Sequence, residues 1–246
     1  MRKIFLLIIL INIPIAIFAA DLPLSAGGGG FLGYTFTRYT LEGNDNTKQH
    51  VELTQNMDRI NYGGFLFFDA TYAVFKVMFQ SANNSYAEIM TIAGEQIEKL
   101  KGTGSEMSIN LSLSGKYPFF INEKFSWFPM LGLEYQIALK QMRQPDGDLE
   151  YDRTKGDLMS DLDKNLEPYP LNAWNAFIIN IGAGFDYFLT DNIFLRGDFL
   201  FGFRLPTAYE KGALEYVKYN FPYVKDPKLG GINGTPTLNV ALGYRF

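Results

Sequence analysis

Apolar and polar side chains alternate along eight separate segments of this chain. The last of them is Thr237–Phe246, which ends on an aromatic residue. Its apolar positions are Leu238, Val240, Leu242, Tyr244 and Phe246, and between them lie Asn239, Ala241, Gly243 and Arg245. Strict alternation predicts a β-strand with one face toward an apolar medium and the other toward a polar space. A soluble sheet could end in the same way.

Seven further segments repeat this alternation and predict seven more strands. They cover residues 30–39, 60–70, 72–81, 107–114, 127–140, 177–187 and 193–204. Their length is close to the roughly 9–11 residues of a tilted transmembrane strand. One such segment is a weak signal, but eight with coherent faces predict an all-β fold, an eight-stranded antiparallel up-and-down transmembrane barrel.

The predicted connections alternate between long and short. The long ones cover residues 40–58, 82–106, 141–172 and 206–234, and the short ones residues 69–71, 117–124 and 188–192. Long extracellular loops on one rim and short periplasmic turns on the other are typical of outer-membrane barrels. An even strand count then places both termini on the periplasmic side. Within the second long connection, Ile89, Ile92, Ile97 and Leu100 have near-helical spacing, which predicts a short helix over the barrel mouth.

Several short segments carry a family resemblance. Leu242, Tyr244 and Phe246 resemble the C-terminal sorting signal that the barrel-assembly machinery reads. As a whole the chain resembles small eight-stranded bacterial outer-membrane barrels of the OmpW and OmpA-transmembrane-domain type. The stretches at residues 67–72, 115–119 and 128–136 are also similar to spirochaete surface barrels. This resemblance implies outer-membrane lipid as a partner and insertion through the C-terminal strand.

The first twenty residues have the pattern of a signal peptide. Arg2 and Lys3 precede an apolar run from Ile4 to Phe18, and small residues follow at Ala19 and Ala20. A transmembrane anchor is the alternative, but the run is shorter than the ~20 residues that a spanning helix needs. We therefore expect a signal peptide at residues 1–20 and one outer-membrane barrel domain at residues 21–246.

Charge and composition narrow the candidate partners. The chain has 22 basic and 26 acidic residues, and loss of Arg2 and Lys3 with the signal would leave a net charge near −6. An acidic chain disfavours nucleic acid and anionic lipid surfaces as partners. Cysteine is absent, which excludes disulfides and thiolate sites. The aromatic content of 16% fits a barrel with aromatic girdles.

The inward faces of the predicted strands would carry charges of both signs. The predicted polar cluster of the lumen is Lys76, Glu134, Lys140, Asp186, Arg196, Asp198, Arg204 and Arg245. Such residues can pair across the lumen as a structural plug, or they can line a narrow polar pathway or gate. The predicted apolar lining is Phe65, Phe67, Met78, Met130, Ile178 and Leu200. It predicts either a dry core or the apolar passage that the OmpW resemblance implies.

Enzymatic chemistry finds little support in the sequence. The only histidine, His50, lies in a predicted loop near Asp45 and Glu52, and a lone loop histidine is most often a solvated residue. The carboxylates between Asp146 and Asp163 lack the spacing of a calcium loop. We therefore predict no catalytic residues, no metal site and no cofactor.

Two functions remain open from the sequence. The first is a porin-like pore or passage for small solutes, with apolar solutes among the candidates. The second is a monomeric plugged scaffold whose surface loops serve adhesion or antigenic contact, with an extracellular ligand as the candidate partner. A third interpretation, a soluble secreted barrel, predicts extraction without detergent.

Overall fold

A computed structural model describes residues 23–44, 50–145, 151–152, 171–207 and 225–246. The predicted signal peptide lies outside the described residues, as do most of the acidic cluster and the Tyr- and Pro-rich segment at residues 208–224. No helix in the described part of the chain is long and apolar enough to cross a bilayer.

Eight antiparallel strands form the wall of the molecule. They are β1 (Ser25–Asn44), β2 (His50–Asp69), β3 (Ala73–Ile92), β4 (Glu95–Lys116), β5 (Phe125–Pro145), β6 (Ala176–Phe188), β7 (Ile193–Arg204) and β8 (Lys225–Arg245). Each strand pairs with its neighbours in sequence, and β8 pairs with β1. The sheet is therefore a closed up-and-down barrel, and the predicted fold class is confirmed.

Short elements decorate this wall. Strands Phe119–Asn122 and Tyr151–Asp152 pair with β5, and a 3₁₀ helix at Leu171–Trp174 precedes β6. The connections at residues 70–72, 117–124 and 189–192 lie at one end of the barrel, which we call the turn end. The opposite end is called the loop end.

The strands β1 to β4 and β8 extend much further toward the loop end than the sequence predicted. β8 begins at Lys225, within the loop predicted at residues 206–234. β3 and β4 meet in a tight turn at Ala93 and Gly94, where a loop spanning residues 82–106 was predicted. The predicted helix over the mouth is wrong, because residues 85–92 and 95–101 form an antiparallel hairpin. A positive φ at both turn residues matches the primed turns that suit the twist of a hairpin.

The barrel is inverted relative to a soluble protein. Outward side chains such as Phe199 (55% exposed), Leu131 (62%) and Leu66 (64%) are apolar, while inward polar side chains are buried. On β7 the outward positions are apolar or glycine along all 12 residues. At ~3.3 Å per residue and a tilt of ~40°, they span about 30 Å, close to the ~25 Å apolar band of membrane barrels.

Rings of aromatic side chains border this apolar belt. At the turn end, Tyr72, Tyr117, Phe119 and Trp127 form a continuous row, with successive ring centroids 6.0, 5.1 and 4.9 Å apart. Amphipathic aromatic rings are typical of the membrane–water interface. β4, with 22 residues, is about twice as long as the belt requires, so its loop-end half projects beyond the belt.

Candidate functional site: the barrel interior

Most of the predicted polar cluster lies inside the barrel. Six of its members are less than 10% exposed: Lys76, Glu134, Asp186, Arg196, Asp198 and Arg204. Strand alternation places them there, since each follows the inward parity of its strand. The structure divides five of them between two layers of contacts, and Arg204 lies apart from both.

Two predicted members depart from the inward face. A β-bulge shifts the register between β4 and β5, so that Lys140 pairs with the exposed Met107 while Ala138 pairs with the buried Ser108. One extra residue in a strand turns the following side chains to the other face, which corrects the prediction for Lys140. Arg245 lies at the turn-end rim, where its guanidinium donates to the Asp191 carbonyl at 2.8 Å and lies over the Phe188 ring.

The layer nearest the turn end is built around Arg196. Its guanidinium binds the two carboxylate oxygens of Asp186 through Nε and Nη2, both at 2.7 Å, and also donates to Asp69. The Lys116 ammonium donates to Asp69 at 2.5 Å and lies 3.7 Å from Asp186. Two cations and two anions therefore neutralise one another away from water, which is the condition for stable burial of charge.

Aromatic rings enclose the Arg196 guanidinium. The centroids of Phe67, Phe194 and Phe128 lie 4.6, 5.2 and 5.4 Å from its central carbon, within cation–π range. Phe128 is fully buried, and a Cβ on Gly184 would lie 2.5 Å from its ring. The glycine thus gives the ring its space, and this part of the lumen is filled by side chains.

The middle layer joins a second ion pair to a carboxylate held by amides. The Lys76 ammonium donates to both oxygens of Asp198, at 2.9 and 3.1 Å, and the Asn239 amide also donates to Asp198. Glu134 accepts from the amides of Asn110 at 2.7 Å and Asn180 at 3.0 Å. Every strong acceptor in this layer thus has charged or amide donors.

The third layer lies toward the loop end and was missed by the sequence analysis. Arg59 forms an ion pair with Glu106, and Asn84 and Gln141 each donate to the same carboxylate at 3.1 Å. The pattern of polar residues inward continued past the predicted ends of β2, β3 and β4. The sequence analysis missed these residues because it relied on outward apolar positions to recognise a strand. Here the outward positions lie beyond the apolar belt.

The predicted apolar lining is buried, and it is larger than predicted. Phe65, Phe67, Met78, Met130, Ile178 and Leu200 are each less than 10% exposed, and all but Ile178 belong to one packed cluster. The sequence analysis missed Phe31, Val74, Phe128, Phe194 and Ala241, which complete that cluster. These residues occupy inward-facing positions of their strands, but they are apolar, whereas inward positions were expected to be polar.

A small cavity separates the middle and loop-end layers. Its volume is about 30 Å³, which admits a few water molecules at most. Charged residues such as Lys76, Glu134 and Arg59 line it together with apolar ones such as Met78 and Leu200. Within the described residues, the lumen thus contains a small pocket of mixed polar and apolar lining on the loop-end side of an aromatic core.

Outside the lumen, the predicted candidates lie at exposed positions. His50 is exposed, and its Nε2 lies 4.0 Å from the Glu52 carboxylate. The described residues include no group of three or more His, Cys, Asp or Glu arranged to hold a metal. Leu242, Tyr244 and Phe246 face outward at the turn end, where the Phe246 amide donates to the Leu24 carbonyl at 2.9 Å.

One polar group on the outer surface lies above the apolar belt. The Asp58 carboxylate accepts from the Tyr34 hydroxyl and from the Arg38 guanidinium, both at 2.8 Å. Partial burial raises the pKa of Asp58, but these two donors stabilise the ionised form more, so that its pKa lies below its usual value. The outer surface therefore changes from apolar to charged over a short distance along the strand.

Comparison with known proteins finds likeness to solved structures but no match among family models or curated sequences. The structure is similar to Ail of Yersinia pestis (13% identity, covering 92% of this chain and 99% of that one, TM-score 0.31). It is also similar to the N-terminal β-barrel domain of Pseudomonas aeruginosa OprF (11%, 89% and 99%, 0.33) and to the Escherichia coli outer membrane protease OmpT (7%, 91% and 97%, 0.32).

The closed sheet, the apolar exterior and the charged interior decide the class of the molecule. The chain folds as a small eight-stranded outer-membrane-type barrel. The recognition made from the sequence is confirmed at this level, while the choice between OmpW-like and OmpA-like subfamilies stays a prediction.

Proposed function

We propose that this outer-membrane-type barrel is a plugged scaffold, and that its function is carried by the surface it projects at the loop end. The observation that supports this most directly is the packing around Arg196, which is 2% exposed. An ion-paired guanidinium enclosed by three phenylalanine rings leaves no room for a solute path at this level of the lumen. An eight-stranded barrel is also narrow enough for side chains to fill.

The proposal includes a location and an orientation. The protein resides as a monomer in a bacterial outer membrane, with the turn end in the periplasm and the loop end outside. The signal peptide at residues 1–20 is cleaved, and Leu242, Tyr244 and Phe246 engage the assembly machinery. The outward exposure of these three side chains favours their recognition before the strand is buried in lipid.

The projecting wall supports a role in surface contact. Several outward side chains beyond the belt are polar and exposed, as at Asn83, Ser85, Lys101 and Thr103. Ile232 is an exposed apolar residue in the same region. The extended strands β1 to β4, with β8 paired to β1 along the same length, form this wall. A surface of this kind suits adhesion or recognition by an extracellular partner.

The second candidate function is a passage for small solutes, and the cavity beside Lys76 and Glu134 favours it. Conductance in planar bilayers distinguishes the two. For the scaffold we expect no current above that of the bare bilayer. Discrete currents that Glu134→Ala changes, and that the outward Lys140→Ala leaves unchanged, would support the passage and contradict the scaffold.

The scaffold itself is tested by adhesion. A non-adherent host strain that displays the barrel should bind cultured epithelial cells, and replacement of residues 208–224 by a short Gly-Ser linker should remove that binding. Heat-modifiable migration on gels checks that the shortened variant still folds. Unchanged adhesion after the replacement, or none by the intact barrel, would contradict the role of this segment.

A further inference from the structure

Arg204 is a buried cation at the loop end of the lumen. It is the last residue of β7, its side chain points inward, and it is 8% exposed. Among the described residues, no carboxylate forms an ion pair with it, and its Nε–H has no hydrogen-bond acceptor.

The other interior cations differ from Arg204 in this respect. Each of the four has a carboxylate within 4 Å: Arg59 with Glu106, Lys76 with Asp198, Lys116 with Asp69, and Arg196 with Asp186. A buried charge without a partner costs several kcal/mol. The described residues supply a carboxylate partner for four interior cations and none for the fifth, Arg204.

Two polar neighbours of Arg204 are also unsatisfied. Asn233 on β8 follows in register from the Gly234–Phe203 pair and therefore lies opposite Arg204, and it pairs directly with Thr37 on β1. Asn233 is 5% exposed and Thr37 is 1% exposed. Both atoms of the Asn233 amide and the Thr37 hydroxyl lack hydrogen-bond partners within the described part of the barrel. Side chains in adjacent register positions lie about 5 Å apart, so Arg204 and Thr37 flank the Asn233 amide from the two neighbouring strands.

The chemistry of these groups points to one class of ligand. A guanidinium offers parallel N–H donors that match the two oxygens of a carboxylate or phosphate. The Asn233 amide and the Thr37 hydroxyl add further donors, and each also has an acceptor for a protonated ligand oxygen. Buried polar groups are nearly always satisfied in native proteins. Unsatisfied atoms also occur elsewhere in the described interior, but only here do they lie beside a buried cation that has no carboxylate partner among the described residues, which favours a bound ligand.

We propose that Arg204, Asn233 and Thr37 form a binding site for a small oxyanion, a phosphate or a carboxylate, at the extracellular end of the barrel interior. The oxyanion accepts from the Arg204 Nε–H and from the Asn233 amide, and it neutralises the fifth cation. This site lies on the loop-end side of the aromatic core and goes beyond the scaffold function, because it operates whether or not solutes cross the barrel.

The experiment follows the Arg204 Nε–H resonance in the barrel folded in detergent micelles. Arg204→Lys identifies that resonance by removing it. Inorganic phosphate and acetate are titrated separately, each against sodium chloride at equal ionic strength. We expect a saturable shift with at least one oxyanion and none with chloride, and the stronger binder tells phosphate from carboxylate.

Variants test the geometry of the site. Thermal unfolding should show an oxyanion-dependent rise in Tm for the wild type, and Arg204→Lys should weaken the apparent affinity about tenfold or more, since a charged bidentate contact is lost. Asn233→Ala should also weaken it. The matched control Arg38→Lys alters an exposed guanidinium on the outer surface and should leave the affinity unchanged.

Three results would overturn the proposal. The first is a wild-type Nε–H resonance that shifts no more with phosphate or acetate than with chloride. The second is an equal shift in Tm for wild type and Arg204→Lys. The third is equal weakening by Arg38→Lys, which would mean that the anions act through general charge on the barrel.

Discussion

At the scale of single residues, the stability of the barrel interior depends on complete pairing of buried charge. Arg196→Met removes the cation that holds Asp186 and Asp69, and leaves two buried carboxylates with one ammonium. We expect the free energy of unfolding in urea to fall by about 3–5 kcal/mol. The control Arg38→Met breaks an exposed pair and should cost about 0–1 kcal/mol. Equal losses for the two variants would refute a special role for the buried network.

Glycine positions test whether the aromatic core is tightly packed. Gly184→Ala would place a Cβ 2.5 Å from the Phe128 ring, so we expect a loss of about 1–3 kcal/mol in unfolding free energy. Gly30→Ala faces outward with its nearest atom at 3.5 Å and should be neutral or slightly stabilising. The double variant with Phe128→Leu should lose less than the sum of the two single losses, because the smaller side chain makes room for the added Cβ. Additive losses in that double variant would contradict direct contact.

At the scale of elements, the β3–β4 turn carries a residue that its backbone does not favour. Ala93 has φ 53° and Gly94 has φ 85°, and primed hairpin turns prefer Asn followed by Gly. Ala93→Asn should therefore raise the unfolding free energy by several tenths of a kcal/mol, up to about 1. Gly94→Ala, where space is open but φ is positive, should lower it by about 1–2 kcal/mol. Measuring the unfolding free energy of both variants checks the turn, because the two changes should have opposite signs.

The same hairpin shows where prediction from the sequence stopped. Alternation located the segments of all eight strands within the apolar belt, because lipid requires apolar residues on one face there. Beyond the belt, outward residues such as Ser85 and Thr103 meet water, so the alternation disappears while the strand continues. Backbone hydrogen bonds between strands form without an apolar face. Residues 82–106 therefore form a hairpin although their sequence lacks the alternation, and that lack resembled a loop.

Within the belt, the sequence predicted which side chains point inward, but it did not predict which of them contact one another. The parity of each strand placed Arg196 and Glu134 inward. It did not reveal that Asp69 joins Arg196, since Asp69 ends β2 and read as part of a turn. Lys140 was misplaced by a single bulge, which leaves no mark on an alternation of apolar and polar residues. Contacts between distant strands depend on barrel closure, which no local pattern encodes.

At the scale of the whole molecule, the interior is arranged in layers with different tasks. The turn-end layer excludes water by combining paired charges with aromatic rings, and the middle layer keeps its carboxylates bound to amides and an ammonium. The unsatisfied donors at Arg204 and Asn233 also lie toward the loop end. If the proposed scaffold and oxyanion site are correct, the closed part of the lumen and the ligand lie at different heights along the barrel axis.

The orientation of the barrel gives a prediction for intact cells. An epitope tag inserted between Ala93 and Gly94 lies in an exposed turn at the loop end and should be labelled by antibody on whole cells. A matched tag between Asp191 and Asn192 lies in an exposed turn at the turn end and should be labelled only after the outer membrane is permeabilised. Both tagged barrels should still require detergent for extraction, because the apolar belt is intact. Labelling of both tags on whole cells, or extraction without detergent, would contradict the membrane-spanning arrangement that the outward belt indicates.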